Sequence, residues 1–185
     1  MTPNIEREIK IPLTQTQFDT AEKLFDWEET IEQTNFYYIP CGDTGMTSIR
    51  VRQIGERLFL QMKVPVSEDG ALHIKKEFEQ ELSALPDRLS AEELSKLTGM
   101  DFPAADLAGA LHTQRRLCRT FAQTEICLDK SEYLGKNDFE LELEYTGNYP
   151  QEALDILAKA GIEPSDKPVI GKYARFMQRA KEQNN

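Results

Sequence analysis

Glu6, Glu8 and Lys10 stand at alternate positions in the segment Glu6-Arg7-Glu8-Ile9-Lys10. A β-strand sends successive side chains to opposite faces, so these three share one face. Ile5, Ile9 and Ile11 share the other, with Arg7 among them, pointing outward. Two carboxylates and an ammonium in one row suit a site that holds a divalent cation and an anion together. Hard ions such as Mg²⁺ and Mn²⁺ prefer oxygen ligands and often bridge protein carboxylates to phosphate oxygens.

The same arrangement recurs further along. In Asp138 to Tyr145, Glu140, Glu142 and Glu144 oppose Phe139, Leu141, Leu143 and Tyr145. In Ile49-Arg50-Val51-Arg52 two guanidiniums align, and a guanidinium fork matches phosphate geometry with two hydrogen bonds. In Ile74 to Leu82, Lys75, Glu77, Glu79 and Glu81 oppose Ile74, Phe78 and Leu82. Asp129 joins the candidate acidic set, and Lys63, Arg115 and Lys172 join the basic one. Arg115 is taken over Arg116, since only one of two neighbours on a strand faces inward. A polyphosphate chain needs both sets at once. Bases hold its non-bridging oxygens, a metal neutralises the phosphate under attack, and a carboxylate or second metal orients water in line.

Positioning these rows requires a curved sheet. Strands are expected at about residues 4–12, 34–40, 46–54, 57–64, 72–82, 112–121, 123–130 and 138–146. Turn-forming Pro, Gly and Asp clusters lie near 40–45, 65–70 and 135–138. Helices are expected after Thr14, after Ser90 with Glu93 three residues on as a capping box, from Pro150 to near Gly161, and over Tyr173–Met177 with Lys172 in its first turn. Their apolar stripes need apolar sheet to cover. The charged faces then look away from the helices and line the polar interior of a closed barrel, which also removes exposed edges. The fold class expected is α+β, a closed eight-stranded antiparallel barrel forming a tunnel with flanking helices, in one domain over 1–185. So many carboxylates in one cavity are expected to raise some of each other's pKa values without metal, and metal affinity is then expected to fall as the pH drops.

Composition narrows the class. With 39% hydrophobic and 29% charged residues the chain reads as soluble and globular, and no apolar run nears the roughly 20 residues of a membrane span. The start lacks a signal-peptide pattern, so cytoplasmic residence is expected. Three cysteines without CxxC spacing argue against a disulfide framework or a zinc site; Cys118 and Cys127 are expected to be packed thiols. His73 and His112 lack ligand spacing and are expected on the surface or in loops. A net charge of −10 argues against a stable nucleic-acid partner or an anionic membrane, leaving room for a local basic pocket. No P-loop, GxGxxG or GxSxG is present.

The chain resembles the CYTH superfamily, the triphosphate tunnel metalloenzymes. The likeness rests on the ExExK run at Glu6, Glu8 and Lys10, the arginine pair Arg50 and Arg52, Lys63 ending a strand, the Lys-x-Glu-x-Glu run from Lys75, Thr113-Gln114-Arg115, and Leu128 to Gly135 followed by the acidic strand from Phe139. It looks most like the small Firmicutes-type members. The resemblance implies an eight-stranded tunnel that acts on triphosphates with Mg²⁺ or Mn²⁺. It implies metal ligands at Glu6 and Glu8 with Glu142 or Glu144 across the tunnel, and support from Glu77 and Glu79 for the bases or a second metal. Lys10, Arg50, Arg52, Lys63, Lys75, Arg115 and Lys172 would bind phosphate, Lys75 standing where relatives often carry arginine. Asp129 and Glu140 would orient water or a second metal, with Lys10 beside them at the reacting phosphate. The expected activity is hydrolysis of an inorganic, nucleoside or organic triphosphate by a monomer or homodimer. An adenylate cyclase of the same superfamily and a polyphosphate- or nucleotide-binding protein without turnover are the alternatives.

Overall fold

The computed structural model describes residues 4–45, 47–69 and 71–183. Among them the chain order is β1 (Asn4–Leu13), α1 (Gln15–Ala21), β2 (Glu29–Pro40), β3 (Ser48–Ile54), β4 (Arg57–Asp69), β5 (Leu72–Leu82), β6 (Arg88–Leu89), α2 (Ala91–Thr98), β7 (Ala105–Phe121), β8 (Thr124–Tyr133), β9 (Lys136–Tyr145), α3 (Gln151–Lys159) and α4 (Lys172–Gln183).

Eight strands pair antiparallel in the order β2-β3-β4-β5-β1-β9-β8-β7, and β7 pairs back onto β2. The sheet therefore closes on itself as a barrel, with the two-residue β6 added on β7. Among the described residues no helix is long and apolar enough to cross a membrane.

Burial follows the alternation. Ile9, Ile11, Leu128, Leu141 and Leu143 face outward and are covered by Phe18 and Ala21 of α1 and by Leu154 and Leu157 of α3. Ile49, Val51, Leu60 and Met62 form a second outer cluster under Leu94 of α2. α1 and α2 start where side chains satisfy the free N–H groups of the first turn. Thr14 with Gln17 and Ser90 with Glu93 form complete capping boxes, and Gly99 closes α2 in the left-handed region at φ 72°.

A third cluster has a different character. Phe176 of α4 is fully buried among Tyr37, Leu111 and Tyr133. Gly109 makes this possible. Its φ is 150°, and a Cβ there would stand 3.0 Å from the Phe176 ring, beside the register shift between Tyr37 and Tyr38. The last helix is thereby held against the barrel wall with Lys172 beneath it.

Three strands are clearly longer than expected. β2 begins at Glu29 rather than near 34, and β7 at Ala105 rather than 112. Ala105-Asp106-Leu107-Ala108-Gly109-Ala110-Leu111 carries small residues with little alternation, so its extension depends on partners across the sheet, Pro40 to Asn35 of β2. β4 likewise continues to Asp69 through a bulge at Pro65–Ser67.

Candidate active site

The inward faces of the strands converge on a cavity of about 830 Å³. Glu8, Lys10, Arg50, Arg52, Lys63, Lys75, Arg115, Glu142, Glu144 and Lys172 all line it, as do Glu77 and Glu79. Antiparallel register sets the neighbours. Lys10 stands opposite Glu142, Glu8 opposite Glu144, Asp129 between Arg115 and Glu140, and Arg50 between Gln61 and Tyr37. Glu6 pairs through its backbone with Lys75, and its side chain lies outside the described residues.

The cavity is electrostatically divided. On the β1–β9–β8–β7 side, bases and acids interlock. Lys10 Nζ donates to Glu142 at 2.5 Å and to Glu8 at 3.0 Å. Lys75 reaches Glu8 at 2.9 Å. Arg115 grips both oxygens of Asp129, at 2.8 and 2.7 Å, and also donates to Glu142. Lys172 contacts Asp129 at 2.7 Å, Glu142 at 2.9 Å, and Glu140. Arg175, one turn further along α4, meets Glu140 at 2.9 Å. These charges are out of water, since Asp129 is 0% exposed and Glu142 3%.

On the β3 side, Arg50 and Arg52 have no such partners. Arg50 donates to the Gln61 amide oxygen at 2.8 Å and Arg52 to that of Asn35 at 3.0 Å. Among the described residues no carboxylate comes within ion-pair distance of either. Burial, then the Arg50 and Arg115 charges, pull the Arg52 guanidinium down to about 10. It stays cationic at neutral pH, in surroundings that would be relieved by an anion.

Three of the cavity carboxylates, Glu8, Asp129 and Glu142, respond in the opposite way from the crowding expectation. Burial acts to raise Glu8, but Lys10, Lys63 and Lys75 outweigh it and hold the group well below the usual range. Burial also opposes ionisation of Glu142 and Asp129. Lys10, Lys172 and Arg115 overcome it at Glu142, and Arg115 and Lys172 at Asp129. At these three groups the expected rise is corrected: interleaved bases set the sign. Lys10 is raised by Glu142 and Glu8 against its burial, and Lys172 by Asp129, Glu140 and Glu142. Lys75 goes the other way, because burial and the Lys10 and Lys63 charges exceed the pull of Glu8.

Among the described residues two carboxylate groups could hold an ion: Glu8, Glu142 and Glu144, and Asp129, Glu140 and Glu142, with one oxygen from each member within 4.8 Å of the others. An all-oxygen set suits a hard divalent ion. Glu142 belongs to both. Glu79 is in neither, and its carboxylate accepts from Gln61 at 2.6 Å.

Some assignments change. His73 is buried at 2% exposure on β5 and lines the cavity, not the surface, because it shares the inward face with Lys75 and Glu77. His112 is exposed, beside Glu32 at 2.8 Å. Glu81 leaves the inward set: it pairs with Arg57 at the exposed end of β4, at 2.9 Å. Arg116 points away to Glu22, leaving Arg115 inside. Cys118 and Cys127 are buried, but on different faces. Cys118 packs in the outer core, whereas burial and the neighbouring Glu144, Asp129 and Glu142 drive the Cys127 thiol up despite Arg115. Gln61, Asn35 and Arg175 were not singled out from sequence. Gln61 stands two residues before Lys63, and Arg175 one turn after Lys172, so both follow from periodicity once a charged neighbour is accepted.

The CYTH domain model matches residues 4–167. Solved structures with the same fold include the Hippeastrum protein HpAC1, described as a candidate adenylyl cyclase with a dominant triphosphatase activity, at TM-score 0.72 and 17% identity over 94% of this chain and 95% of that one. A candidate adenylate cyclase from Bacillus halodurans gives TM-score 0.69 and 23% identity over 95% and 99%. The Mimivirus capping enzyme triphosphatase gives 0.51 and 13% over 85% and 87%. No curated protein sequence matches this chain.

Proposed function

The chain belongs to the CYTH domain family, and from that premise we propose that it is a phosphoanhydride hydrolase acting on the triphosphate group inside its charged tunnel, with Mg²⁺ or Mn²⁺. One observation carries this reading. Two largely buried guanidiniums, Arg50 and Arg52, face a cavity without an ion-paired carboxylate among the described residues, while a carboxylate cluster stands on its other side. Buried cations in that state call for an anionic ligand. The triphosphatase activities named for HpAC1 and the Mimivirus enzyme agree with it.

Glu8, Glu142 and Glu144 would hold the ion, with Glu6 as the further ligand that the ExExK run offers. When bound, a divalent ion supplies charge neutralisation on the phosphoryl oxygens. Arg50 and Arg52 bind the phosphates not under attack, assisted by Lys63 and Lys75. Lys10, held between Glu8 and Glu142, presents its ammonium to the phosphate that is attacked. Arg115 and Lys172 are oriented by Asp129 before substrate arrives, so little reorganisation is needed when charge develops. Asp129 and Glu140 orient the attacking water and keep these bases in place. Water oxygen bonds to the terminal phosphorus, the bridging P–O bond breaks, and the leaving diphosphate takes the electron pair while one proton passes to solvent. Glu79 and Glu77 hold Gln61 and Lys63 in position around the Arg50 side.

The test is phosphate release from tripolyphosphate and from nucleoside triphosphates with Mg²⁺ or Mn²⁺, beside Glu8→Gln. Release that Glu8→Gln abolishes supports the reading. Release untouched by that change, or cyclic AMP as the product from ATP, rejects it.

A further inference from the structure

The two guanidiniums that face the cavity without an ion pair are held in the same way. Each donates through Nε, Arg50 to the Gln61 carboxamide oxygen at 2.8 Å and Arg52 to that of Asn35 at 3.0 Å. Among the described residues no other hydrogen bond engages either side chain, so the terminal nitrogens of each fork stay available to a ligand. The clamps come from opposite neighbours. Gln61 stands across from Arg50 on β4, and Asn35 across from Arg52 on β2. Arginine has no acceptor, so each carboxamide must turn its oxygen to Nε and its NH₂ group away.

The NH₂ groups show what an amide costs in these places. Asn35 is 0% exposed, and its Nδ2 has no partner among the described residues. A buried donor left in that state destabilises the fold. Aspartate has the same shape and no such donor. Its charge would complete a pair with Arg52, a cation that burial and the Arg50 and Arg115 charges already disfavour. Stability alone therefore favours aspartate at position 35, and the chain carries asparagine. Gln61 leads to the same conclusion by another arrangement. Its Nε2 donates to Glu79 at 2.6 Å, so one neutral side chain stands between the Arg50 guanidinium and a carboxylate on the next strand. Exchanging residues 61 and 79 would preserve every charge and bring the carboxylate onto Arg50. A guanidinium already paired with a carboxylate has less attraction left for a phosphate.

We propose that Asn35 and Gln61 are positioning residues for the anion: as neutral carboxamides they fix the Nε edges of Arg52 and Arg50 and leave both positive charges for the phosphates. The proposal rests on the triphosphatase reading for the identity of the anion. It adds that the neutrality of these two side chains, at a cost in stability, sets the affinity. Asn35 is not among the residues that line the cavity, so it acts through Arg52; Gln61 is part of the wall itself.

The test measures tripolyphosphate affinity by calorimetry in EDTA, and Tm without ligand, for the wild type, Asn35→Asp and the exchange Gln61→Glu with Glu79→Gln. Each variant is expected to bind about tenfold more weakly, the loss of a hydrogen bond to a charged group. Tm is expected to rise in Asn35→Asp and to hold in the exchange. A residue acting only through the fold would lower affinity and Tm together. With Mg²⁺, KM for tripolyphosphate should rise about tenfold in both while kcat stays within about twofold, since the clamps act on binding. The proposal is overturned by affinities within about twofold of the wild type, by a fall in Tm alongside each loss of affinity, or by a wild type that does not bind tripolyphosphate. If Asn35→Asp does not fold, the exchange decides alone. Binding by the wild type without phosphate release on adding Mg²⁺ or Mn²⁺ refutes the hydrolase reading instead, and the affinities still decide the clamps.

Discussion

Lys10 Nζ lies 2.5 Å from Glu142 and on the register partner of that residue, so an internal ammonium occupies the carboxylate that both candidate ion clusters share. An incoming divalent ion competes with Lys10 for Glu142. Removing the ammonium should therefore weaken the metal-free protein and strengthen its response to metal. In Lys10→Met, loss of one partner from a buried pair is expected to cost about 3–5 kcal/mol without divalent ions. The Mg²⁺-induced rise in Tm should exceed that of the wild type. Thermal scans with and without Mg²⁺ check this, and an equal or smaller rise contradicts the competition.

Among the described residues Arg50 and Arg52 differ from the other tunnel bases in having only amide partners. A lysine in either place keeps the charge but loses the planar fork. Arg52→Lys should raise KM for the triphosphate by roughly ten- to hundredfold, corresponding to the ~1.5–3 kcal/mol of a hydrogen bond to a charged group. Thermal stability should hold or improve, since no ion pair is broken. Steady-state kinetics beside a melting curve separate the two effects.

The pH dependence of stability has a defined sign. Glu8, Asp129 and Glu142 have folded pKa values below their unfolded ones. Their contribution is fully present above about pH 4 and is lost as pH falls through the lower folded values. Lys10 and Lys172 have raised folded values, so theirs is present below about pH 10 and is lost above it as pH rises through the folded values. The metal-free protein should show flat denaturation midpoints between about pH 5 and 9, falling at both ends. Glu142→Gln should lower the plateau and blunt the acid limb. Midpoints in urea across pH check it, and a decline already under way between pH 7 and 5 would restore the crowded-carboxylate expectation.

Gly109 permits the approach of Phe176, and with it the seat of α4. Gly109→Ala imposes a rarely adopted φ and a contact at 3.0 Å, at a cost of about 1–3 kcal/mol. The last helix should become more open to limited proteolysis after its arginines and lysines. Adding Phe176→Leu should recover part of the loss by removing the contact but not the φ strain. Full protection in the single variant would separate Gly109 from helix docking.

Much of this was visible along the chain. Alternation placed Glu8, Lys10, Arg50, Arg52, Glu142 and Glu144 on inward faces, because period two is a property of any extended strand. The capping boxes at Thr14 and Ser90 marked helix starts through local hydrogen bonds that need only a few residues. Three things were less legible. Ala105–Leu111 became strand through pairing with β2. His73 lacks ligand spacing, yet strand parity puts it on the face of Lys75. Glu81 shared the parity of Glu79 yet fell beyond the cavity, because parity fixes a face and not a depth along the barrel.

By itself the sequence determined which side chains would share a face, where the alternating part of each barrel strand would lie, and that acids and bases would meet in a closed barrel, since these follow from backbone period and from the need to bury apolar stripes. Tertiary structure decided the pairings. It put Lys10 against Glu142, left Arg50 and Arg52 to amides, and laid the apolar stripe of α4 over the mouth. The first and last of those depend on register and barrel closure between segments more than a hundred residues apart, whereas Arg50 and Arg52 find their amides on the neighbouring strands β4 and β2, 11 and 17 residues away. Coulomb energy falls with distance and deepens with burial, so the protonation of each group was settled only there.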